Sequence, residues 1–410
     1  MRPKHFVVLA LIAACGGPKA PVAPPPVDVA QEQRLSTIRV ETTPDTEVKK
    51  AYAEAITESA LPDDLADGVD STSQGSGFFL KANGKLYVVT NHHVVGGSRK
   101  AKVRFDEHTV IEDADVVYAD DHFDVAVIAV PEGPSQTLAH VVSLTQRPAG
   151  AGEQVEASGW PGVGDELSYR LTAGTISDPN FLVPGESKSD RYVQHTAVID
   201  PGNSGGPLFR KTTLEVLGIN TLSFTDNHDL YVAVPSAIVQ TVLDRAGAAD
   251  KLAHDPALRR AALVSTCHDL VQEISNTGDP PKETVAILSD ELAAPLGVVN
   301  WEARHVKRSH DDKPRVDADA LKDLEDEVKG GDVIEHLRPY AMNELYEDVR
   351  KIGAPKPDGC EQGLVQKDLD NLTDRGFVRC RIDFAGGKAF RTLKWRLEQG
   401  HWRLMAFDAP

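Results

Sequence analysis

The run Gly202-Asn203-Ser204-Gly205-Gly206-Pro207-Leu208-Phe209 sets a hydroxyl nucleophile in a glycine-rich turn with apolar residues on both sides. A serine hydroxyl attacks slowly near neutral pH unless a base takes its proton and fixed donors receive the charge developing on the attacked oxygen. Gly202 has no Cβ and can hold a tight turn in which its N–H and that of Ser204 converge. Gly202, Asn203 and Ser204 are therefore the candidate oxyanion hole. A plain surface turn explains Gly-Asn-Ser but not the apolar flanks. Partners for Ser204 lie upstream, each at the end of an apolar run. Residues 86–89 lead into Thr90-Asn91-His92-His93-Val94-Val95, and Asp120-Asp121-His122-Phe123-Asp124 leads into 125–130. A base, a carboxylate and a serine hydroxyl are the parts needed for acyl transfer through a covalent serine intermediate.

The chain order is histidine, aspartate, serine. The same roles occur in other orders on subtilisin and α/β-hydrolase folds, so this order favours a chymotrypsin-like double barrel. Over residues 71–246 the chain resembles the HtrA-type branch of the trypsin-like serine proteases. The likeness rests on Gly75-Ser76-Gly77-Phe78, Thr90-Asn91-His92-His93-Val94-Val95, Asp124-Val125-Ala126-Val127, Gly159-Trp160-Pro161-Gly162 and the 202–208 run. The resemblance implies that His93, directly before Val-Val, is the general base, with His92 its neighbour. It also implies that Asp124, rather than Asp120 or Asp121, orients that base, and that the chain is a serine endopeptidase acting on polypeptides without a cofactor. It places the pocket for the residue before the scissile bond at Val198, Ile199 and Asp200, with Ile219, Asn220 and Thr221 on the opposite wall. A floor at Val198 cannot compensate the desolvation of a lysine or arginine, so Val, Ala, Ile and Leu are the expected preference. An inward Asp200 would reverse it. In that family the segment ahead of the barrel often makes oligomer contacts, which makes a homo-oligomer a partner to consider. The family's usual C-terminal PDZ domain is not recognisable. The alternative is a catalytically silent trypsin-fold scaffold lipoprotein that binds through its C-terminal domain.

Short apolar segments punctuated by Gly, Pro, Asn and Asp position these residues. Strands are expected at 77–80, 86–90, 102–105, 114–118, 125–130, 154–158, 169–177, 192–198, 207–209, 215–223 and 230–234, then a helix from Pro235-Ser236 through Arg245. The expected fold is an all-β trypsin-like double β-barrel followed by an α+β domain. Base and acid then sit on the first barrel and the nucleophile on the second, with the site in the cleft between them.

The chain has 410 residues, 62 acidic against 44 basic, and a formal net charge of −18. That balance repels phosphate backbones, so nucleic acid is not an expected partner. Residues 1–15 read as an export signal: a basic Met1-Arg2-Pro3-Lys4, an apolar 6–14 too short to span a bilayer, and small residues before Cys15. This resembles a bacterial lipoprotein signal, which implies lipidation of Cys15 and anchoring in the cell envelope, with Gly16 favouring the outer membrane. Residues 16–44 are expected to be a Pro-rich tether and 45–70 a linker with one amphipathic helix, on which Val48, Tyr52, Ala55, Ile56 and Ser59 share a face.

Residues 255–410 are expected to be helices followed by a three-stranded antiparallel meander. Leu263, Cys267, Leu270 and Ile274 share one helical face, and Ile334, Leu337, Ala341, Leu345, Val349 and Ile352 another. Past Cys360 the period changes to two through Val378, Cys380, Ile382 and Phe384. An exported chain can oxidise one pair among Cys267, Cys360 and Cys380, and Cys360 with Cys380 is the expected pair. No metal site is expected, since His92 and His93 are adjacent and neither Cys-x-x-Cys nor His-Glu-x-x-His occurs.

Overall fold

The computed structural model describes residues 28–407 except 70–71, 107, 163–167, 184–189, 225–229, 276–286, 309–313, 331–332, 353–354, 357–358, 373–375 and 385–389. Cys15 and the first part of the expected tether lie outside these residues.

The first barrel closes from β1 Thr37–Thr42, β2 Ser73–Ala82, β3 Lys85–Thr90, β4 Lys100–Arg104, β5 Val110–Asp120 and β6 Val125–Ala129, in the order β1-β2-β3-β6-β5-β4. Asn83 and Gly84, both at positive φ (52° and 76°), make the two-residue turn that joins β2 to β3. Alternating residues such as Ile38, Val40, Phe79, Val88, Val103 and Ile128 fill the interior. Strand β1 corrects the tether expected over 16–44. Asp28 caps helix α1, Val29–Ser36, and the chain then enters the barrel, with Val40 opposite both Gly75 and Val103. Only partners far along the chain make this short stretch a strand, because pairing and not local pattern satisfies its backbone.

The second barrel comprises β8 Gln154–Gly159, β9 Arg170–Phe181, β10 Tyr192–His195, β11 Pro207–Arg210, β12 Glu215–Phe224 and β13 Leu230–Pro235. The β11–β12 pairing closes it, and β7 Ser143–Leu144 joins β12 in parallel on the outside. The facing sides of the barrels share one apolar core, in which Phe78, Val127, Phe209, Ile219 and Val234 meet Val239 and Leu243 of helix α3, Ser236–His254. Each such side chain contributes roughly 1.5–3 kcal/mol, so this shared core holds the two barrels together.

The chain then forms helices α4 Pro256–Ser275, α5 Asp290–His305, α6 Ala318–Gly330 and α7 Val333–Ile352. The short ribbon β14 Val306–Lys307 with β15 Arg315–Val316 lies between α5 and α6. Strands β16 Val378–Asp383, β17 Phe390–Glu398 and β18 His401–Phe407 build the expected antiparallel meander. Its face (Val378, Ile382, Leu393, Trp395, Trp402, Leu404) packs on Leu263, Leu270 and Ile274 of α4. On α7, Leu337 and Ala341 are buried as expected, while the side chains of Leu345, Val349 and Ile352 lie outside the described ones.

Two further expectations are corrected here. The helix ahead of the barrel, Thr46–Glu58 (α2), is not part of a linker. Its Val48, Tyr52 and Ile56 are buried against Val298 and Trp301 of α5, Leu324 of α6 and Leu337 of α7. Its apolar face is thus spent within this chain. Asp45 occupies its N-cap position but accepts a bond from Arg99 Nε at 2.5 Å instead of capping the helix. The disulfide joins Cys267 to Cys360, with Cα atoms 5.9 Å apart, and leaves Cys380 as a buried thiol. The Cys360–Cys380 pair was expected from spacing along the chain. Helix α4, however, lies over the sheet face that carries Cys380, so the sulfurs converge and Cys380 Sγ sits 4.0 Å from Cys267 Sγ. Burial pushes the Cys380 thiol up to about 11.

Candidate active site

Strand β3 ends at Thr90, and the next residues make a single helical turn, His92–Val95, that carries His93 out over the cleft. Asn91 Nδ2 donates to the Asp124 carbonyl at 2.8 Å, tying this turn to the head of β6. Asp124 lies in the left-handed region at φ 53°, a conformation a non-glycine residue keeps only where its surroundings fix it. The consequence is a carboxylate that faces His93. Its oxygens lie 2.9 and 3.0 Å from His93 Nδ1, and Oδ1 also accepts the His93 backbone N–H at 3.0 Å. Thr221 Oγ1 donates to Oδ2 from the second barrel. Burial alone would raise the Asp124 carboxyl, but the charge of His93 and the bonds from His93 and Thr221 outweigh it and hold it below the usual aspartate range. An ionised Asp124 fixes the Nδ1–H tautomer and makes Nε2 the nitrogen that can act as a base. Asp120 has another role: it accepts from Arg245 Nη1 at 2.6 Å and from the Phe123 N–H at 3.1 Å.

The serine turn precedes β11. Gly202 and Gly205 have φ of 100° and 84°. A Cβ on Gly202 would lie 2.6 Å from the Trp160 carbonyl, and one on Gly205 2.1 Å from the Ser76 carbonyl, so no larger residue fits either place. Ser76, within the Gly75-Ser76-Gly77 motif, sutures the turn to the first barrel. Its N–H donates to Ser204 O and its hydroxyl to Gly202 O, both at 2.7 Å, while the hydroxyl accepts from Trp160 N at 2.9 Å. Asn203 is corrected as an oxyanion donor, because its N–H is spent on Asp200 O at 2.9 Å in closing the turn. Among the described residues no acceptor meets the N–H of Gly202 or Ser204. Ser204 Oγ is 3.5 Å from Thr221 O, and Ser204 and His93 line the same cavity of about 460 Å³.

The six residues expected to form the pocket beside the scissile bond divide. Val198 is 46% exposed and open to a ligand. Asp200 turns to Arg170 Nη1 at 2.6 Å, which removes it as a buried anionic floor. Ile199 packs in the core of the second barrel and Ile219 in the core between the barrels. Asn220 is fully buried, with Nδ2 on the carbonyls of Gly206 and Pro207 at 3.1 and 3.3 Å. Ile199, Ile219 and Asn220 are buried and therefore support the wall from behind rather than line it. Thr221 is a partner of Asp124. Sequence reasoning missed that role, since nothing local to Thr221 signals a partner on the other barrel. The suture at Ser76 was visible only as part of a glycine motif.

The chain is similar to known proteins over its barrel region. A family model described as a trypsin-like peptidase domain matches residues 75–219. A serine protease Do-like HtrA of Bacillus subtilis (strain 168) is 33% identical over 189 residues, 44% of this chain and 41% of that one. Residues 75–219 are thus similar to a trypsin-like peptidase domain and to HtrA-type serine proteases. A probable periplasmic serine endoprotease, DegP-like, of Pseudomonas fulva (strain 12-X) is 33% identical over 188 residues, 45% of this chain and 36% of that relative. The chain spans less than half the length of these curated relatives. Among solved structures, the serine endoprotease from Yersinia pestis aligns with a TM-score of 0.39 and 24% identity over 54% of this chain and 67% of that one.

Proposed function

We propose that the chain is a serine endopeptidase that hydrolyses peptide bonds of exported proteins through an acyl-enzyme. The observation that carries the reading is the array Thr221–Asp124–His93, which opens into a cavity that also holds Ser204. Asp124 holds His93 in the Nδ1–H tautomer, and Nε2 takes the Ser204 proton as Oγ attacks the peptide carbonyl. The N–H groups of Gly202 and Ser204 receive the oxyanion, each such donor being worth about 3 kcal/mol. The imidazolium then protonates the leaving amine, and water deacylates the serine by the same relay.

A fluorophosphonate probe should label the wild-type protein, and Ser204→Ala should lose both labelling and peptide cleavage while melting at the same temperature. Wild type that stays unlabelled with substrate peptides added would point to the silent scaffold.

The exposed Val198 and the outward Asp200 support a small to medium aliphatic residue before the scissile bond. Discrimination among Val, Ala, Ile and Leu is then modest, about 10–200-fold per methylene, while cations are excluded. A peptide library digested by the wild type, with Ser204→Ala as blank, reads this directly. Dominant cleavage after Lys or Arg would refute the apolar pocket.

Export to the cell envelope follows from the 1–15 segment and agrees with the periplasmic naming of the DegP-like relatives. Cys15 is the proposed lipidation site, which ties the enzyme to a membrane, the outer one by the Gly16 criterion. Mass spectrometry of protein from the native host should find a lipid-modified N-terminal Cys15, and Cys15→Ser should leave the membrane fraction. An unmodified N-terminus further along the chain would sink the anchor.

A further inference from the structure

The cavity shared by His93 and Ser204 has a wall that does not come from the barrels. One side is built from residues of the first barrel and its loops, including His93 and Gly97, and from Gly202 and Ser204. The other side is built from Asp290, Lys329, Val333, Ile334 and Glu335 of the C-terminal helices. That wall is fixed in place. Gln399, at the tip of the β17–β18 hairpin, donates from Nε2 to the carbonyls of Gly96 and Ser98 at 3.2 and 2.9 Å, the loop directly after the base. Gly97 lies so close to Asp290 that an added Cβ would fall 1.4 Å from its carboxylate. His401 Nε2 donates to the Ala119 carbonyl at 2.8 Å from the same hairpin.

The mechanism assigns the cavity to one half of the substrate. The acyl half stays bonded to Ser204 with its side chain toward Val198, whereas the leaving amine departs past the imidazole that protonates it. None of Val198, Ile199, Asp200, Ile219, Asn220 and Thr221 lines this cavity, but His92, His93 and the loop after them do. We propose that the cavity receives the polypeptide segment that follows the scissile bond, and that Ile334 and Glu335 of the C-terminal region are its specificity-determining residues. Ile334 offers a partly buried apolar contact. Glu335 keeps a half-exposed side chain, and its carboxylate is held ionised by Arg338 at 2.8 Å, as an acceptor for a peptide N–H. About 460 Å³ is room for a few residues of extended chain. The C-terminal region is then part of the substrate site rather than a separate module.

This proposal rests on Ser204 being the nucleophile, and the test separates the two. Full-length wild type, Ile334→Ala and Glu335→Gln are assayed on two substrates with the same acyl residues: a peptidyl ester with a small alcohol leaving group, and a peptide amide extended by three residues past the scissile bond. The extended peptide should lose about tenfold in kcat/KM, chiefly through KM, while the ester stays within twofold. Equal losses on both substrates, or none on either, would overturn the subsite. Wild type inactive on both overturns the nucleophile instead. In that event a peptide with a photo-crosslinker two residues past the bond, added to Ser204→Ala, still decides the subsite. Capture within 333–335 supports it, and capture at 198–200 or no capture overturns it.

Discussion

Asp124→Asn is expected to lower turnover of a peptide substrate about 10⁴-fold at pH 7 with little loss of stability. Asp124 accepts from His93 Nδ1, from the His93 N–H and from the Thr221 hydroxyl, so every group around its carboxylate is a donor. An asparagine presents one oxygen and one NH2. Turned one way its amide hydrogens meet the His93 N–H, turned the other way the Thr221 hydroxyl, and Nδ1 is within reach of both places. If they meet Nδ1, the imidazole carries its proton on Nε2, where it cannot accept from Ser204. The expected signature is a loss in kcat that shrinks at alkaline pH, with the melting temperature near that of wild type. A loss smaller than tenfold would show that Asp124 does not orient the base. Thr221→Val is the milder companion. It removes one donor to the same carboxylate from across the cleft, so its effect on turnover should follow that of Asp124 at smaller size.

The second large effect is structural and concerns the wall of the cavity. Arg338, with 7% of its side chain exposed, bonds to the carbonyl of Leu288 and to the carboxylates of Asp290 and Glu335. Burial would lower the guanidinium, but the two carboxylates more than reverse this and keep it charged. Arg338→Ala deletes the cation and leaves Asp290 and the Leu288 carbonyl without it in a largely enclosed place. Breaking one partner of such a buried network costs about 3–5 kcal/mol. Denaturant unfolding followed by tryptophan fluorescence should report it, because Trp301, Trp395 and Trp402 are buried on either side of this junction. A change below about 1 kcal/mol would mean that the ion cluster is not what holds α5 to α7. Kinetic loss in this variant should fall more heavily on extended peptides than on short esters, since Glu335 loses its orienting partner while the barrels keep theirs.

The barrels were legible along the chain because each part of them has a local cause. Strand alternation and glycine turns are set by neighbours within a few residues, and the segments expected at 77–80 through 230–234 all lie within observed strands or overlap them. The meander was legible for the same reason, through the two-residue period from Val378 to Phe384. His93, Asp124 and Ser204 are each marked by their own motif, so their types and order alone pointed to acyl transfer.

What only the tertiary structure decided are pairings between distant segments. Strand β1 exists because β2 and β4 pair with it on either side, and its own six residues carry too little pattern to announce it. Helix α2 shows an apolar face in sequence, but the partner of that face, the α5–α7 cluster, lies hundreds of residues later. Cys267 reaches Cys360 because a helix crosses a sheet, a relation that spacing does not carry. Thr221 reaches Asp124, and Ile334 and Glu335 reach the rim of the site, by the packing of separate units. Sequence fixes local conformation and chemistry because those depend on neighbouring residues. Which surfaces meet depends on burying apolar area and satisfying polar groups over the whole chain at once, and that is a property of the folded molecule alone.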